Sequence, residues 1–148
     1  LIAMGIPPYL LADSLALTQA QRLVRRLCNY CKRPQPLTDQ VSQLFQENRV
    51  VIPEDAPTIY QKVGCPECNG SGYSGRLALM EMCPVDPRLA DLVSKNAPQS
   101  EMRRLMLQRG SKTLYQQGLN QVLGGLTSID EISCLSYTSL RELSSLES

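Results

Sequence analysis

Four of the six cysteines occur as two C-x-x-C pairs, CNYC at 28–31 and CPEC at 65–68, with 33 residues between them (32–64). The pairs could form disulfides, a redox centre, separate buried thiols or one metal site. The thiolate is the reactive and metal-binding form of cysteine. A zinc ion takes four soft ligands at tetrahedral corners, and a C-x-x-C turn lets both of its sulfurs face one point. Two such turns complete the set, which makes Cys28, Cys31, Cys65 and Cys68 the expected ligands of a structural Zn²⁺. A site with four protein ligands has no open position for substrate, so its expected role is stabilisation and not catalysis.

The competing chemistries fit less well. A thioredoxin-like pair needs a single C-x-x-C at a helix start within a βαβ unit. Disulfides go with secretion, and the N-terminal LIAMGIPPYLLADSL has no charged n-region or cleavage site. Separate buried thiols do not predict paired spacing. Gly64, Pro66, Gly70 and Gly72 beside the second pair suit a turn whose N–H groups bend inward towards sulfur. Cys83 and Cys134 have no partner at ligand spacing and are expected to be small buried hydrophobes. A zinc tetrathiolate retains about two negative charges. Arg22, Arg25, Arg26, Lys32 and Arg33 surround the first pair. They offset that charge, face a partner, or form a solvated basic face.

The composition narrows the function classes. The chain has 148 residues, enough for one ordinary domain or two small ones, with a net charge of +1 and therefore no overall basic field for nucleic acid. It contains no histidine. Ser-His-Asp triads, Cys-His pairs and His-ligated zinc hydrolases are thereby excluded. One Phe, six Tyr and no Trp leave Leu, Val, Ile and Met to fill the interior. No apolar stretch approaches the roughly 20 residues of a membrane span, so no membrane insertion is expected. The first residue is Leu, and the chain reads as excised from something longer.

The elements that must position the cysteines follow from periodicity. Residues 8–17 predict a short helix. AQRLVRRLC fits either a strand or a helix end. Asp39 after Thr38, with Val41, Leu44 and Phe45, predicts a helix over 39–47, and Pro53–Pro57 a loop. TIYQKV and RLALMEM are strand candidates on either side of an irregular glycine-rich turn at 64–75. Asp86-Pro87 is an N-cap followed by proline at the first helical position, opening a helix that ends near Asn96. A second helix starts at Pro98 with Met102, Leu105 and Met106 facing in, and a third covers 112–123. Gly118 inside it costs about 1 kcal/mol against Ala unless close packing requires it. Thr127 is the expected N-cap of a last helix, with Asp130 reaching back, and the tail SLRELSSLES is expected to fray. The fold class expected is α+β, mostly α. Residues 1–27 end a preceding core, 28–83 form a cysteine-pinned module with short strands, and 84–148 form a small helical bundle.

Two families share these motifs. C-x-x-C-x-G-x-G resembles the zinc repeat of DnaJ-type co-chaperones, but that family uses four repeats, CNYCKRPQ lacks the glycines, and the HPD signature needs histidine. The ordered set GIPPYLLADSL, AQRLVRRLCNYCK, GCPECNGSGYSGRLALMEM and SEMRRLMLQRGSKTLYQQGLNQVLGGLTSIDEI resembles the C-terminal part of the bacterial type II secretion and type IV pilus assembly ATPases, the GspE and PilB type. Gly64, Cys65, Cys68, Gly70, Gly72, Tyr73, Gly75, Arg76 and Glu81 fill that family's middle motif. Gly125, Thr127 and Asp130-Glu131 fill its last.

The resemblance implies a hexameric cytoplasmic motor, peripheral to the inner membrane through platform proteins, that hydrolyses ATP with Mg²⁺. It implies that 1–27 end a RecA-like ATPase core, that 28–83 are a tetracysteine zinc subdomain, and that 84–148 are a C-terminal helical subdomain. The G-x-x-x-x-G-K-[ST] loop, the Mg²⁺ carboxylates and the histidine box are not in this sequence. The chain is therefore expected to be non-catalytic, contacting neighbouring subunits or platform proteins and no nucleic acid. The alternative is a free-standing zinc-ribbon module for nucleic acid or unfolded protein.

Overall fold

The computed structural model describes residues 1–54 and 58–135. The tail SLRELSSLES and residues 55–57 of the Pro53–Pro57 loop lie outside them. The described residues form an α+β arrangement with two small antiparallel sheets. Helix α1 (Pro8–Ser14) begins at the Pro7-Pro8 pair and stops short of residue 17, because Leu15 is already extended. Ala16 accepts from the Val85 N–H at 2.9 Å, and the chain continues into the long strand β1 (Leu17–Leu27). AQRLVRRLC is thus a strand. Its apolar residues lack a period of two because the register shifts between Arg25 and Leu27. That bulge turns both Val24 and Leu27 inward, while Leu23 is left 59% exposed.

Strand β2 (Arg33–Pro36) leads to helix α2 (Asp39–Glu47), whose N-cap Thr38 accepts from the Val41 N–H at 3.4 Å. Strand β3 (Thr58–Gln61) pairs back on β2, with Pro34 opposite Tyr60 and Pro36 opposite Thr58. A strand reading RPQP was not anticipated. It is tolerated because the sheet has only two strands, so a proline can turn its missing N–H away from the partner. Strand β4 (Tyr73–Pro84) contains the expected RLALMEM and pairs along β1, from Leu17 opposite Pro84 to Leu27 opposite Tyr73.

Asp86 caps helix α3 (Pro87–Ser94) by accepting from the Leu89 N–H at 2.9 Å, and it is ion-paired with Arg109 just beyond helix α4 (Gln99–Gln108). Met102, Leu105 and Met106 of α4 are only half-buried. Helix α5 (Leu114–Leu123) opens with a reciprocal cap between Thr113 and Gln116. Glu81 of β4 adds a third tie, accepting from the Leu114 N–H at 3.0 Å. Residues 129–135 are helical. Their N-cap is Ser128, whose Oγ accepts from the Glu131 N–H at 3.4 Å, and not Thr127 as expected. Thr127 Oγ1 instead donates to the Arg25 carbonyl at 2.9 Å. Spacing cannot separate two adjacent hydroxyls when one of them has a distant acceptor.

One core joins the middle of the chain to its end. Phe45, Val50 and Ile59 pack in the same cluster as Tyr115, Leu119, Val122 and Ile132. Gly118 lies at its tightest point. A Cβ there would meet Ile132 Cγ2 at 3.0 Å and Leu79 Cδ1 at 3.4 Å. The helix thus accepts a glycine so that β4 and the last helical segment can close on it. Gly118→Leu would place further carbons where there is no space, and the overpacking outweighs the gain of about 0.8 kcal/mol in helix propensity. The expected outcome is a net loss of about 1–3 kcal/mol in urea unfolding.

Candidate metal centre

Each C-x-x-C pair sits in a tight turn next to a sheet. Cys28 follows Leu27 directly at the end of β1, and the Lys32 N–H closes the turn on the Cys28 carbonyl at 2.9 Å. The second pair forms a single 3-10 turn at Pro66–Cys68, ahead of β4. The four sulfurs converge. All lie within 4.8 Å of one another, with Cys28–Cys65 and Cys31–Cys68 at 3.8 Å and Cys65–Cys68 at 3.7 Å. A tetrahedron of sulfurs about 2.3 Å from a central zinc has edges of about 3.8 Å. Disulfide bonding would need about 2.05 Å, and all six cysteines are free. The predicted ligands are therefore brought to one point.

Backbone N–H groups surround the sulfurs. Gly64 donates to Cys31 Sγ at 3.3 Å, Cys65 to Cys68 Sγ at 3.3 Å, and Gly72 to Cys68 Sγ at 3.2 Å. Gly72 also joins the two halves, since its carbonyl accepts from the Cys28 N–H at 3.0 Å. Only glycine fits there, because φ is +76° and a Cβ would stand 2.7 Å from Lys62 Cβ.

These contacts set the thiols apart. Burial pushes Cys65 up to about 11 and also raises Cys31. Burial acts on Cys68 in the same direction, but the Cys65 and Gly72 N–H donors overcome it and hold Cys68 down at about 6. Cys68 thus ionises before Cys31 and Cys65. Those two resist charging because burial disfavours their charged form. A divalent cation at the centre removes that resistance, so the donor set fits a soft, tetrahedral, closed metal site.

The remaining cysteines divide. Cys83 is buried in β4, as expected. Cys134 is exposed, contrary to expectation. In residues 129–135 the inward positions are Ile129 and Ile132, and a residue two beyond Ile132 falls on the outer side of a 3.6-residue helix.

The basic residues around the first pair also divide. Lys32 is half-buried, while Arg22, Arg25, Arg26 and Arg33 are exposed, Arg25 with its guanidinium held by a carboxylate of the same chain. Glu131 accepts from the Arg25 backbone N–H at 2.9 Å and from its guanidinium at 2.9 and 2.6 Å. The same guanidinium lies 4.2 Å from the centre of the Tyr73 ring, and Tyr73 Oη shares a 2.8 Å hydrogen bond with Ser128 Oγ. Lys32 Nζ donates to the Gly125 carbonyl at 2.8 Å and stands over Tyr60. Neither role was legible from charge, because the partners lie about a hundred residues away in sequence.

A protein-family model described as "Type II/IV secretion system protein" matches residues 1–134. The chain is similar to the putative type II secretion system protein E of Escherichia coli K12, 41% identical over 87% of this chain and 25% of that protein. It is also similar to the type IV pilus assembly ATPase PilB of Myxococcus xanthus, 37% identical over 89% of this chain and 23% of that protein. The type II secretion system ATPase E of Vibrio cholerae is 34% identical over 87% of this chain and 25% of its own length. The chain spans about a quarter of the length of these curated relatives. Among the described residues no helix is long and apolar enough to cross a membrane.

Burial raises the Glu131 carboxyl, but the Arg25 hydrogen bonds and charge outweigh it and leave its pKa below the ordinary value of 4.5. A carboxyl depressed in the folded state contributes stability that is complete above its unfolded pKa and is lost as pH falls through the folded one. Wild type should therefore lose stability relative to Glu131→Gln on acidification from about pH 5 downward. Parallel melting curves of the two proteins across that range would remove the ion pair from the account.

Proposed function

Because the chain belongs to the type II/IV secretion system protein family, we propose that it is a zinc-stabilised, non-catalytic C-terminal region of a secretion or pilus-assembly ATPase. In this reading the whole protein is a hexamer that hydrolyses ATP with Mg²⁺. It works in the cytoplasm, held at the inner membrane by platform proteins. Residues 1–27 end its RecA-like core, 28–83 are the zinc subdomain, and 84–148 are the helical subdomain that takes part in subunit or platform contacts. Two relatives named as ATPases, each matched over about a quarter of its length, support this division of labour. So does a sequence without a phosphate-binding loop or histidine.

The observation that carries the zinc assignment is the convergence of Cys28, Cys31, Cys65 and Cys68 to within 4.8 Å, with edges suited to a tetrahedron. When bound, the ion supplies charge neutralisation and a cross-link between two distant turns, with no position left for a reacting water. The nucleic-acid alternative loses support from Arg25 and Lys32, whose charged ends are engaged inside the chain.

The purified chain is expected to hold one zinc per molecule by elemental analysis and to show no ATP turnover. Cys68→Ser should abolish stoichiometric zinc and lower the melting temperature by at least about 10 °C, since metal affinity at a structural site is folding free energy. ATP hydrolysis by the isolated chain would overturn the non-catalytic assignment. A zinc-free chain whose melting ignores both chelator and this substitution would overturn the structural metal.

A further inference from the structure

The two halves of the metal centre are supported differently. The second half is held by its own turn, where the Cys65 and Gly72 N–H groups donate to Cys68, and it reaches the first half through Gly64 N–H to Cys31 and through the Gly72 carbonyl, which accepts from the Cys28 N–H. The first half hangs on the last residues of β1, where the register with β4 shifts between Arg25 and Leu27. There a different segment takes over. The Leu27 N–H donates to the Leu126 carbonyl at 2.9 Å, the Arg25 carbonyl accepts from Thr127 Oγ1 at 2.9 Å, and the Arg25 N–H donates to Glu131 at 2.9 Å. On the far side of the first turn, Lys32 Nζ donates to the Gly125 carbonyl. The chain on both sides of Cys28 is thus gripped by one seven-residue stretch, Gly125–Glu131.

That stretch is built for the task. Thr127 is fully buried and Ser128 nearly so. Gly125 has φ +65°, and a Cβ on it would stand 2.8 Å from the Tyr60 ring, so only glycine admits the approach. Gly125, Thr127 and Glu131 also belong, together with Asp130, to the last family motif, to which the metal reading gives no role.

We infer that Gly125, Thr127 and Glu131 are positioning residues of the metal centre. By holding Arg25–Leu27 and Lys32, they keep the Cys28–Cys31 turn facing the Cys65–Cys68 turn. The inference rests on the metal reading. It adds that metal binding and docking of this segment are thermodynamically linked, so that each strengthens the other.

The test is zinc affinity of the full chain, measured by competition with a chromophoric chelator. Thr127→Val/Glu131→Gln should bind zinc at least about tenfold more weakly than wild type, the range seen when groups that orient metal ligands are removed. Asp130→Asn, in the same stretch but with its side chain 74% exposed and 3.8 Å from Lys62, should bind as wild type does. Gly118→Leu separates positioning from general stability, because it strains the core through Ile132 and Leu79 and not through Arg25 or Leu27. Equal weakening in Gly118→Leu, or wild-type affinity in the double variant, overturns the inference. If the double variant does not fold, Thr127→Val alone, which removes one hydrogen bond, carries the same comparison. Hydrogen exchange supplies the reciprocal readout: chelation of wild type should speed exchange at Leu27 and across 126–131 together, and unchanged exchange at 126–131 sinks the linkage. Failure of wild type to bind zinc is a separate result that removes the metal reading itself.

Discussion

Four cysteine sulfurs meet at one point, although two of them lie 37 residues along the chain from their opposite numbers. Closing a loop of that length has an entropy cost that rises only slowly with length. The harder part is bringing buried, mutually repelling sulfurs together. Without a cation, Cys68 ionises more readily than Cys31 and Cys65. With one, each sulfur contributes to a binding free energy of about 10–16 kcal/mol at structural zinc sites. That is comparable to the whole stability of an ordinary domain. The closed loop also carries α2, β3 and the connection between them, which deliver Phe45, Ile59 and Val50 respectively to the core beside Tyr115 and Leu119. Under the proposed metal assignment, closure by the ion and hydrophobic burial reinforce one another. The loop that the cysteines clip supplies nearly half of the cluster that α5 needs.

The β1–β4 ribbon transmits this constraint. One of its faces packs inward with Val24, Leu79 and Cys83 buried, while the other leaves Leu17, Leu23, Met80 and Met82 exposed. A two-stranded ribbon is marginal by itself. It is anchored at one end by the cysteine turns and the Gly125–Glu131 stretch, and at the other by Val85 on Ala16 and by α3 against α1. Glu81 then ties the ribbon to the start of α5.

How much of this could be read from the sequence depended on the range of each interaction. Local rules worked. The C-x-x-C spacing, Thr38 before Asp39, Asp86 before Pro87 and the reserve about Gly118 all concern residues within a turn of one another, or a cost that only close packing offsets. Pairing did not show. Leu23, Val24 and Leu27 looked undecided between strand and helix because a bulge, fixed by β4 and by Leu126, breaks the alternation. RPQP became a strand because TIYQ was there to pair with it. Local spacing puts the N-cap at Thr127, one residue before its true place at Ser128, since the acceptor that claims Thr127 lies about a hundred positions upstream. Cys134 was expected to be buried because its residue type usually is, and only the helical phase of Ile129 and Ile132 turns it outward.

The glycines show why motif and mechanism can be confused. A glycine-rich turn before a long strand could pass for a phosphate cradle, which needs several backbone N–H groups open to a ligand. Here those donors are already engaged. The Gly64 N–H points to Cys31 Sγ, and the Gly72 N–H to Cys68 Sγ. The charge they stabilise is a thiolate in the chain itself. Gly125 serves the same end from the opposite side, bringing one backbone close enough for Lys32 to reach its carbonyl. In both motifs glycine marks a place where two distant stretches of chain must touch. The common consequence is the orientation of the cysteine turns, so these motifs are most economically explained by the metal centre and not by nucleotide chemistry.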